Sequence, residues 1–378
     1  MEPIGEDYVG YTDTISEADW TRFEFYSQKV RRIHTVVWTT AIEAGSMIQL
    51  LNSRPPSIPY ILPTVAEIDW RSSDTSGWLS QLCPLLSPTL KSFTLHAERL
   101  WSETEARVIL RHLAFLPGLK LEELEVDLIE SMPDVVCDIL DRQRENLMTF
   151  SHHSFDLNER LSASISQLRS LISLELSFSD SRGRTNRDFN DFCDALASRC
   201  PRLRVVRLRN MSGAQGRTFY AFQPLTRIKK MKVIRLACSD LVLELQDLQE
   251  MGASWRSLEA LRFPYSSIPL PWLATIARHF SSALEAIEAI IPVPKDFDPD
   301  YTTFTPFTSV KRISCLYYVR PESAKTVGTF FQRLVAPGTI VGSSYGAARR
   351  LEEAVGNMVR WQGEWPSEEE PVEESGEE

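Results

Sequence analysis

The six cysteines of this 378-residue chain (Cys83, Cys137, Cys193, Cys200, Cys238 and Cys315) form no CxxC pair. That excludes a disulfide scaffold or a zinc ribbon, and reads them as small core residues in a reduced compartment. No apolar run approaches the roughly 20 residues of a membrane-spanning helix. The first 29 residues are polar and acidic, without the basic and apolar regions of a secretory signal. The chain is therefore expected in the cytoplasm or nucleus, away from membranes, and the triplet Asn210-Met211-Ser212 is expected to carry no glycan. A basic excess is also missing: 41 Lys and Arg stand against 51 Asp and Glu, a net charge of −10. From Glu364 onward there are eight Glu and no Lys or Arg, and without those eight the count is 43 acidic to 41 basic residues. The body is close to neutral, which disfavours nucleic acid as a partner. Like charges and two prolines mark 364–378 as a disordered acidic tail.

With 43% hydrophobic residues the remainder has ample material for a core. One pattern organises it, apolar-x-x-apolar-x-apolar. It occurs as Leu90-x-x-Phe93-x-Leu95, Leu121-x-x-Leu124-x-Val126, Leu171-x-x-Leu174-x-Leu176, Leu203-x-x-Val206-x-Leu208, Met231-x-x-Ile234-x-Leu236 and Leu258-x-x-Leu261-x-Phe263. Shorter or weaker copies start at Val30, Val65, Leu147, Leu284 and Val310. These eleven starts span 280 residues, a mean period of 28, within the range of about 20–29 residues for leucine-rich repeats. Helical periodicity fills the intervals, as in Glu103–Phe115, Met132–Arg142 and Asp188–Arg199, where Phe189, Phe192, Ala195 and Leu196 make one apolar stripe. The expected fold is an α/β leucine-rich-repeat solenoid of about eleven irregular repeats, with parallel strands on the concave face and helices on the convex face.

A solenoid needs caps. Residues 1–29, with the helix Glu17–Lys29 (Trp20, Phe23, Phe25, Tyr26), are expected to close one end of a 30–320 repeat array. Residues 321–363, through helices Glu322–Leu334 and Tyr345–Trp361, are expected to close the other. The proline-rich stretch Arg54–Pro59 is expected to be a rigid extended insertion, and Ser179–Arg187 a polar loop.

The segment Ala18-Asp19-Trp20-Thr21-Arg22-Phe23-Glu24-Phe25-Tyr26-Ser27-Gln28-Lys29-Val30-Arg31-Arg32-Ile33 resembles a stretch of fungal F-box proteins, especially those of mushroom-forming fungi. There a D-W-x-R-F-x-x-Y-x-x-x-V-R-x-[LI] helix leads into irregular leucine-rich repeats. The resemblance runs to Val319. It implies a substrate-binding repeat array joined to an F-box that docks a Skp-type adaptor of a cullin ubiquitin ligase. Met1–Asp19 lacks the Leu-Pro start and the apolar helices of an F-box. Met132–Leu140 looks like an F-box onset, but falls where a convex helix is required. The chain is thus expected to be either a receptor module whose F-box is absent or missing from the sequence, or a repeat-only scaffold with no ubiquitin link.

Motifs for chemistry fail one by one. Gly342-Ser343-Ser344-Tyr345-Gly346 matches a nucleophile elbow, but no histidine follows His279 to act as its base. Asp296-Phe297-Asp298-Pro299-Asp300 opens like a calcium loop, yet has Tyr301 where glycine is demanded and Phe307 where a bidentate Glu is needed. His152-His153 would point to opposite faces of a strand. No catalytic residue, metal site or cofactor is expected.

Strand geometry says where a partner would sit. The fourth and sixth positions of each repeat face the core, so the third, fifth and seventh face outward. The fifth positions read His34, Asp69, Thr94, Glu125, Ser151, Glu175, Arg207, Arg235, Arg262, Glu288 and Ser314, with Arg209 at a seventh position. Glu123, Glu125 and Asp127 make an acidic patch. Partner binding is expected at Arg207, Arg209, Arg235, Arg262, Glu125, Glu175 and Asp69, the arginines suiting an acidic or phosphorylated protein segment.

Overall fold

The computed structural model describes residues 2–3, 8–10, 15–35, 41–42, 44–72, 82–97, 103–128, 132–178, 185–211, 217–238, 241–280, 283–292, 305–316, 324–343 and 360–363. The chain divides into two compact units, Met1–Ser181 with Asp194–Leu203, and Arg182–Cys193 with Arg204–Glu378.

In the first unit the repeat pattern becomes six strands: β1 (Arg32–Thr35), β2 (Glu67–Ser72), β3 (Ser92–Ala97), β4 (Glu123–Asp127), β5 (Thr149–Phe155) and β6 (Ser173–Phe178). Each pairs parallel with the next. The second unit has β7 (Val205–Arg209), β8 (Val233–Leu236), β9 (Ala260–Ser267), β10 (Ala286–Ile290) and β11 (Arg312–Leu316). It continues with β12 (Ile340–Ser343) and β13 (Arg360–Gly363), again parallel throughout. Each of the eleven repeat starts opens a strand, and with helices in the connections both units have the α/β leucine-rich-repeat arrangement.

The alternation that specifies these strands is visible in their burial. Leu90, Phe93 and Leu95 are wholly buried, as are Leu171, Leu174 and Leu176, Leu203, Val206 and Leu208, and Met231, Ile234 and Leu236. Each such side chain removed from water stabilises the fold by roughly 1.5–3 kcal/mol. Backbone geometry at the second position adds a repeated feature. The Arg31 carbonyl accepts the N–H groups of both Ala66 and Glu67, and Ala66 accepts from Lys91 and Ser92. Lys91 does so from Glu122 and Glu123, and Lys232 from Glu259 and Ala260. Just before the first position, hydroxyls tie neighbouring repeats: Thr64 donates to the Val30 carbonyl at 3.1 Å, Thr89 to Val65 at 2.9 Å and Ser309 to Leu284 at 3.0 Å.

The connections carry helices α1 (Glu17–Ser27), α2 (Ala44–Asn52), α3 (Glu103–Phe115), α4 (Pro133–Arg142), α5 (Glu159–Ser166), α6 (Asn186–Arg199), α7 (Leu245–Ser254), α8 (Trp272–His279) and α9 (Ala324–Leu334). Two intervals also carry 3-10 turns, Cys83–Leu85 and Gln223–Arg227, both with proline at the start. Helix α1 begins with a capping box. Ser16 Oγ accepts the Asp19 N–H at 3.2 Å, and the Asp19 carboxylate accepts the Ser16 N–H at 2.9 Å. Of its expected cap residues Trp20 is buried, whereas Phe25 and Tyr26 are exposed. At 100° per residue those two lie on the face away from Trp20 and Ser27. The Lys29 ammonium covers the Phe25 ring at 3.6 Å.

Two expectations are corrected. Arg54–Pro59 is not extended. It turns back on itself, with Ile58 N–H donating to Pro55 O at 3.0 Å and Arg54 Nη1 donating to Pro59 O at 2.9 Å. Prolines fix φ but not the turn, and burial of Ile58 and Ile61 draws the segment inward. The stretch expected as a helix to Trp361 has Arg360 and Trp361 in strand β13, paired with Ile340 and Val341. Residues 344–359, the tail 364–378, Asp296–Asp300 and most of Ser179–Arg187 lie outside the described residues.

One glycine has a steric task. A Cβ on Gly252 of α7 would stand 2.5 Å from His279 Cβ of α8. Gly252→Ala is expected to lower stability by on the order of 1–2 kcal/mol, the overpacking exceeding the gain in helix propensity. An unchanged urea midpoint would contradict that close approach.

Candidate functional site

Residues outside the core form continuous rows, because the strands are parallel and in register. In the first unit His34 pairs with Asp69, Asp69 with Thr94, Thr94 with Glu125, Glu125 with Ser151 and Ser151 with Glu175. In the second, Arg207 pairs with Arg235, Arg235 with Arg262, Arg262 with Glu288 and Glu288 with Ser314. Gly342 and Gln362 extend that row onto β12 and β13. The structure thus aligns Arg207, Arg235 and Arg262 on three consecutive strands, with Arg209 beside them, and aligns Asp69, Glu125 and Glu175 in the row of the first unit.

The two open faces differ in chemistry. On β7–β11, the charged residues at third, fifth and seventh positions are Arg207, Arg209, Arg235, Arg262 and Arg312 against one carboxylate, Glu288. Arg235 and Glu288 are two strands apart, yet Nη2 reaches Oε1 at 3.8 Å, over the intervening Arg262 strand. Their side chains are 18% and 27% exposed, sheltered enough to strengthen the interaction relative to a fully solvated pair. Arginines on neighbouring strands repel by tenths of a kcal/mol per pair. Among the strand residues of this face, arginines therefore outnumber carboxylates. The Lys232–Glu259 and Lys311–Glu285 pairs at second positions are already neutral.

The face of the first unit is a histidine–carboxylate cluster. His96 lies 3.2 Å from Asp127 and 3.7 Å from Glu125, and His153 lies 3.5 Å from Glu125. His34 stands 3.4 Å from both Glu67 and Asp69, and Arg71 pairs with Asp69 at 3.2 Å. The hydrogen bond to His153 holds the Glu125 carboxyl below its ordinary value, and His96 does the same for Asp127. The bond to Glu125 raises His153. His96, Asp127 and His153 are all seventh-position residues. Reading that row as the fifth was read would have brought them together from the sequence. Among the described residues, no group of His, Cys, Asp and Glu is arranged to hold a metal ion.

His152 faces the other way, as alternation requires. It occupies a sixth position, is fully buried, and accepts the Ser154 N–H on Nδ1 at 3.2 Å. Burial, and then the neighbouring His153 charge, push it down to about 4.

The remaining motifs find structural roles or fall outside the described residues. Met132–Leu140 forms the start of α4 with Val135, Val136, Cys137, Ile139 and Leu140 buried, so this face is not presented to an adaptor. Gly342 and Ser343 end β12, and Ser344 lies outside the described residues. Burial raises the Cys83 and Cys137 thiols and pushes Cys200 up to about 12, which fits core packing rather than reactivity. Among the described residues no helix is long and apolar enough to cross a membrane.

No protein-family model matches the chain, and no curated protein matches it in sequence. Among solved structures, it is similar to one reported as the crystal structure of a Rad7 and Elc1 complex in yeast. The identity is 12%, the match covers 80% of this chain and 77% of that one, and the TM-score is 0.43.

The buried histidine yields a pH test. Between pH 6.5 and about 4 the unfolded chain takes up a proton at residue 152 that the folded chain refuses, so folding weakens as pH falls through that window. The full difference is on the order of 3 kcal/mol. His152→Leu places there the residue type found at Leu95 and Leu176. It is expected to flatten the loss of urea resistance between pH 6.5 and 4.5, and an unaltered slope would assign the acid sensitivity elsewhere.

Proposed function

We propose that the chain is a protein-recognition module that binds an acidic, including a phosphorylated, protein segment on the open face of β7–β10. The observation that carries this is the register of Arg207, Arg235 and Arg262 on adjacent strands, with Arg209 beside them. Guanidiniums bind carboxylates and phosphates through charge-assisted, often bidentate hydrogen bonds. Asp69, Glu125 and Glu175 belong to the other unit's face, where histidines accompany the carboxylates, and they are assigned to a more basic part of a partner.

The wider setting rests on the resemblance of residues 18–33 to fungal F-box proteins. On that reading the module is the substrate-recognition part of an F-box-type ubiquitin-ligase receptor, working in the cytoplasm or nucleus. The burial of Trp20 at the start of the repeats suits a helix that leads into such an array.

Two measurements test these levels separately. Arg207→Glu with Arg235→Glu is expected to weaken binding of a fluorescein-labelled oligoglutamate or phosphopeptide at least tenfold, with the circular dichroism unchanged. Equal affinity would remove the row from the function. For the ligase setting, the product of the full-length transcript is expected to co-purify with a Skp-type adaptor. Without co-purification, the chain is a repeat scaffold with no ubiquitin link.

A further inference from the structure

The connection from α2 to β2 holds a turn whose chemistry neither open face uses. Residues 54–59 read Arg-Pro-Pro-Ser-Ile-Pro. Pro56 and Ser57 are the central residues of a β-turn, closed by the Ile58 N–H on the Pro55 carbonyl at 3.0 Å. Proline stands at the position whose φ it presets, which leaves Ser57 exposed at the tip. At the base the Arg54 guanidinium donates from Nη1 to the Pro59 carbonyl at 2.9 Å. A cation is therefore held three residues before an exposed hydroxyl.

This turn can be drawn out at modest cost. Pro55, Pro56 and Pro59 have no N–H to give to a neighbouring strand or helix. The two prolines between Arg54 and Ser57 also confine that stretch to extended, polyproline-like geometry once the turn opens. Less conformational freedom is then lost on binding in an extended groove. Ile58, 9% exposed, leaves its packing in the process, so the opening is a local event confined to this connection. Protein kinases select their targets by charge pattern, and a carboxylate-lined groove pairs well with a guanidinium at a fixed distance from the hydroxyl.

We propose that Ser57 is a phosphorylation site for an arginine-directed protein kinase, with ATP as the phosphoryl donor. The Ser57 Oγ forms the new bond to the γ-phosphorus, and the bond from that phosphorus to the β,γ-bridging oxygen breaks. ADP leaves, and the hydroxyl proton passes to the kinase's catalytic carboxylate. The product carries a charge of about −1.5 to −2 at pH 7. Close to Arg54 in the chain, it competes with the Pro59 carbonyl for the guanidinium. The mark falls on a connection of the first unit, outside the strand rows, and is independent of the arginine row.

The test incubates the folded full chain with calcium/calmodulin-dependent kinase II and ATP, and locates phosphate by peptide mass spectrometry. Site mapping is needed because Ser102, Ser212, Ser281 and Ser323, all outside the described residues, also follow an arginine by three positions. The expected result is phosphate on Ser57 of the parent, at a rate that Arg54→Gln lowers at least about tenfold. Losing the Arg54 bond to Pro59 would loosen the turn and expose Ser57 further, so a fall in rate reports recognition of the arginine rather than altered access. Equal rates for the parent and Arg54→Gln would overturn the proposal. So would phosphate on a synthetic peptide of residues 50–62 with none at Ser57 of the folded chain, because the turn would then withhold the serine. Absence of phosphate from both would overturn it as well.

Discussion

Everything in this chain depends on the two-residue alternation of a parallel strand held in register. The repeat commits its fourth and sixth positions to the core, and the second-position carbonyl, accepting two amides from the next strand, ties each repeat to its neighbour. A slip of one residue would bury Arg235 and expose Ile234. Because that is prohibitively costly, outward residues far apart in sequence are brought into rows whose chemistry the core does not constrain.

Those rows are where the two units differ. In the first, carboxylates on neighbouring strands are accompanied by His96 and His153, each within 3.7 Å of Glu125, and the interaction lowers Glu125 while raising His153. Glu67, Asp69, Glu125 and Asp127 find arginine or histidine partners within the face. In the second, Arg235 spans two strands to reach Glu288, which is the reach expected when one carboxylate serves a run of cations. The same backbone thus presents a face of carboxylates and histidines in one unit and an arginine-rich one in the other.

The architecture was legible because it rests on period alone: eleven apolar starts became eleven strands, and the fifth-position rows paired within each unit as read. Strands β12 and β13 were missed because Gly338-Thr339-Ile340-Val341 carries a short apolar run without the repeat's spacing, and the segment before Arg360 reads as helical. The turn at Pro55–Ile58 was missed because proline content reports φ and not the tertiary contact that bends the chain. His96 and His153 were missed for a different reason. Neither has a partner within its own repeat, and only the seventh-position row, three strands deep, places them around Glu125 and Asp127.

Row geometry also bears on what kind of partner the arginines select. Neighbouring strands lie about 4.8 Å apart, whereas an extended peptide returns to the same face about every 6.8 Å. Glutamates or phosphates therefore cannot match the row one for one along an extended segment. Arginine stems are long enough to absorb a mismatch of that size over three strands, but only by giving up a single fixed geometry. Recognition of this kind reads density of negative charge more than sequence. It leaves discrimination among acidic segments to phosphate charge and to the residues that border the row.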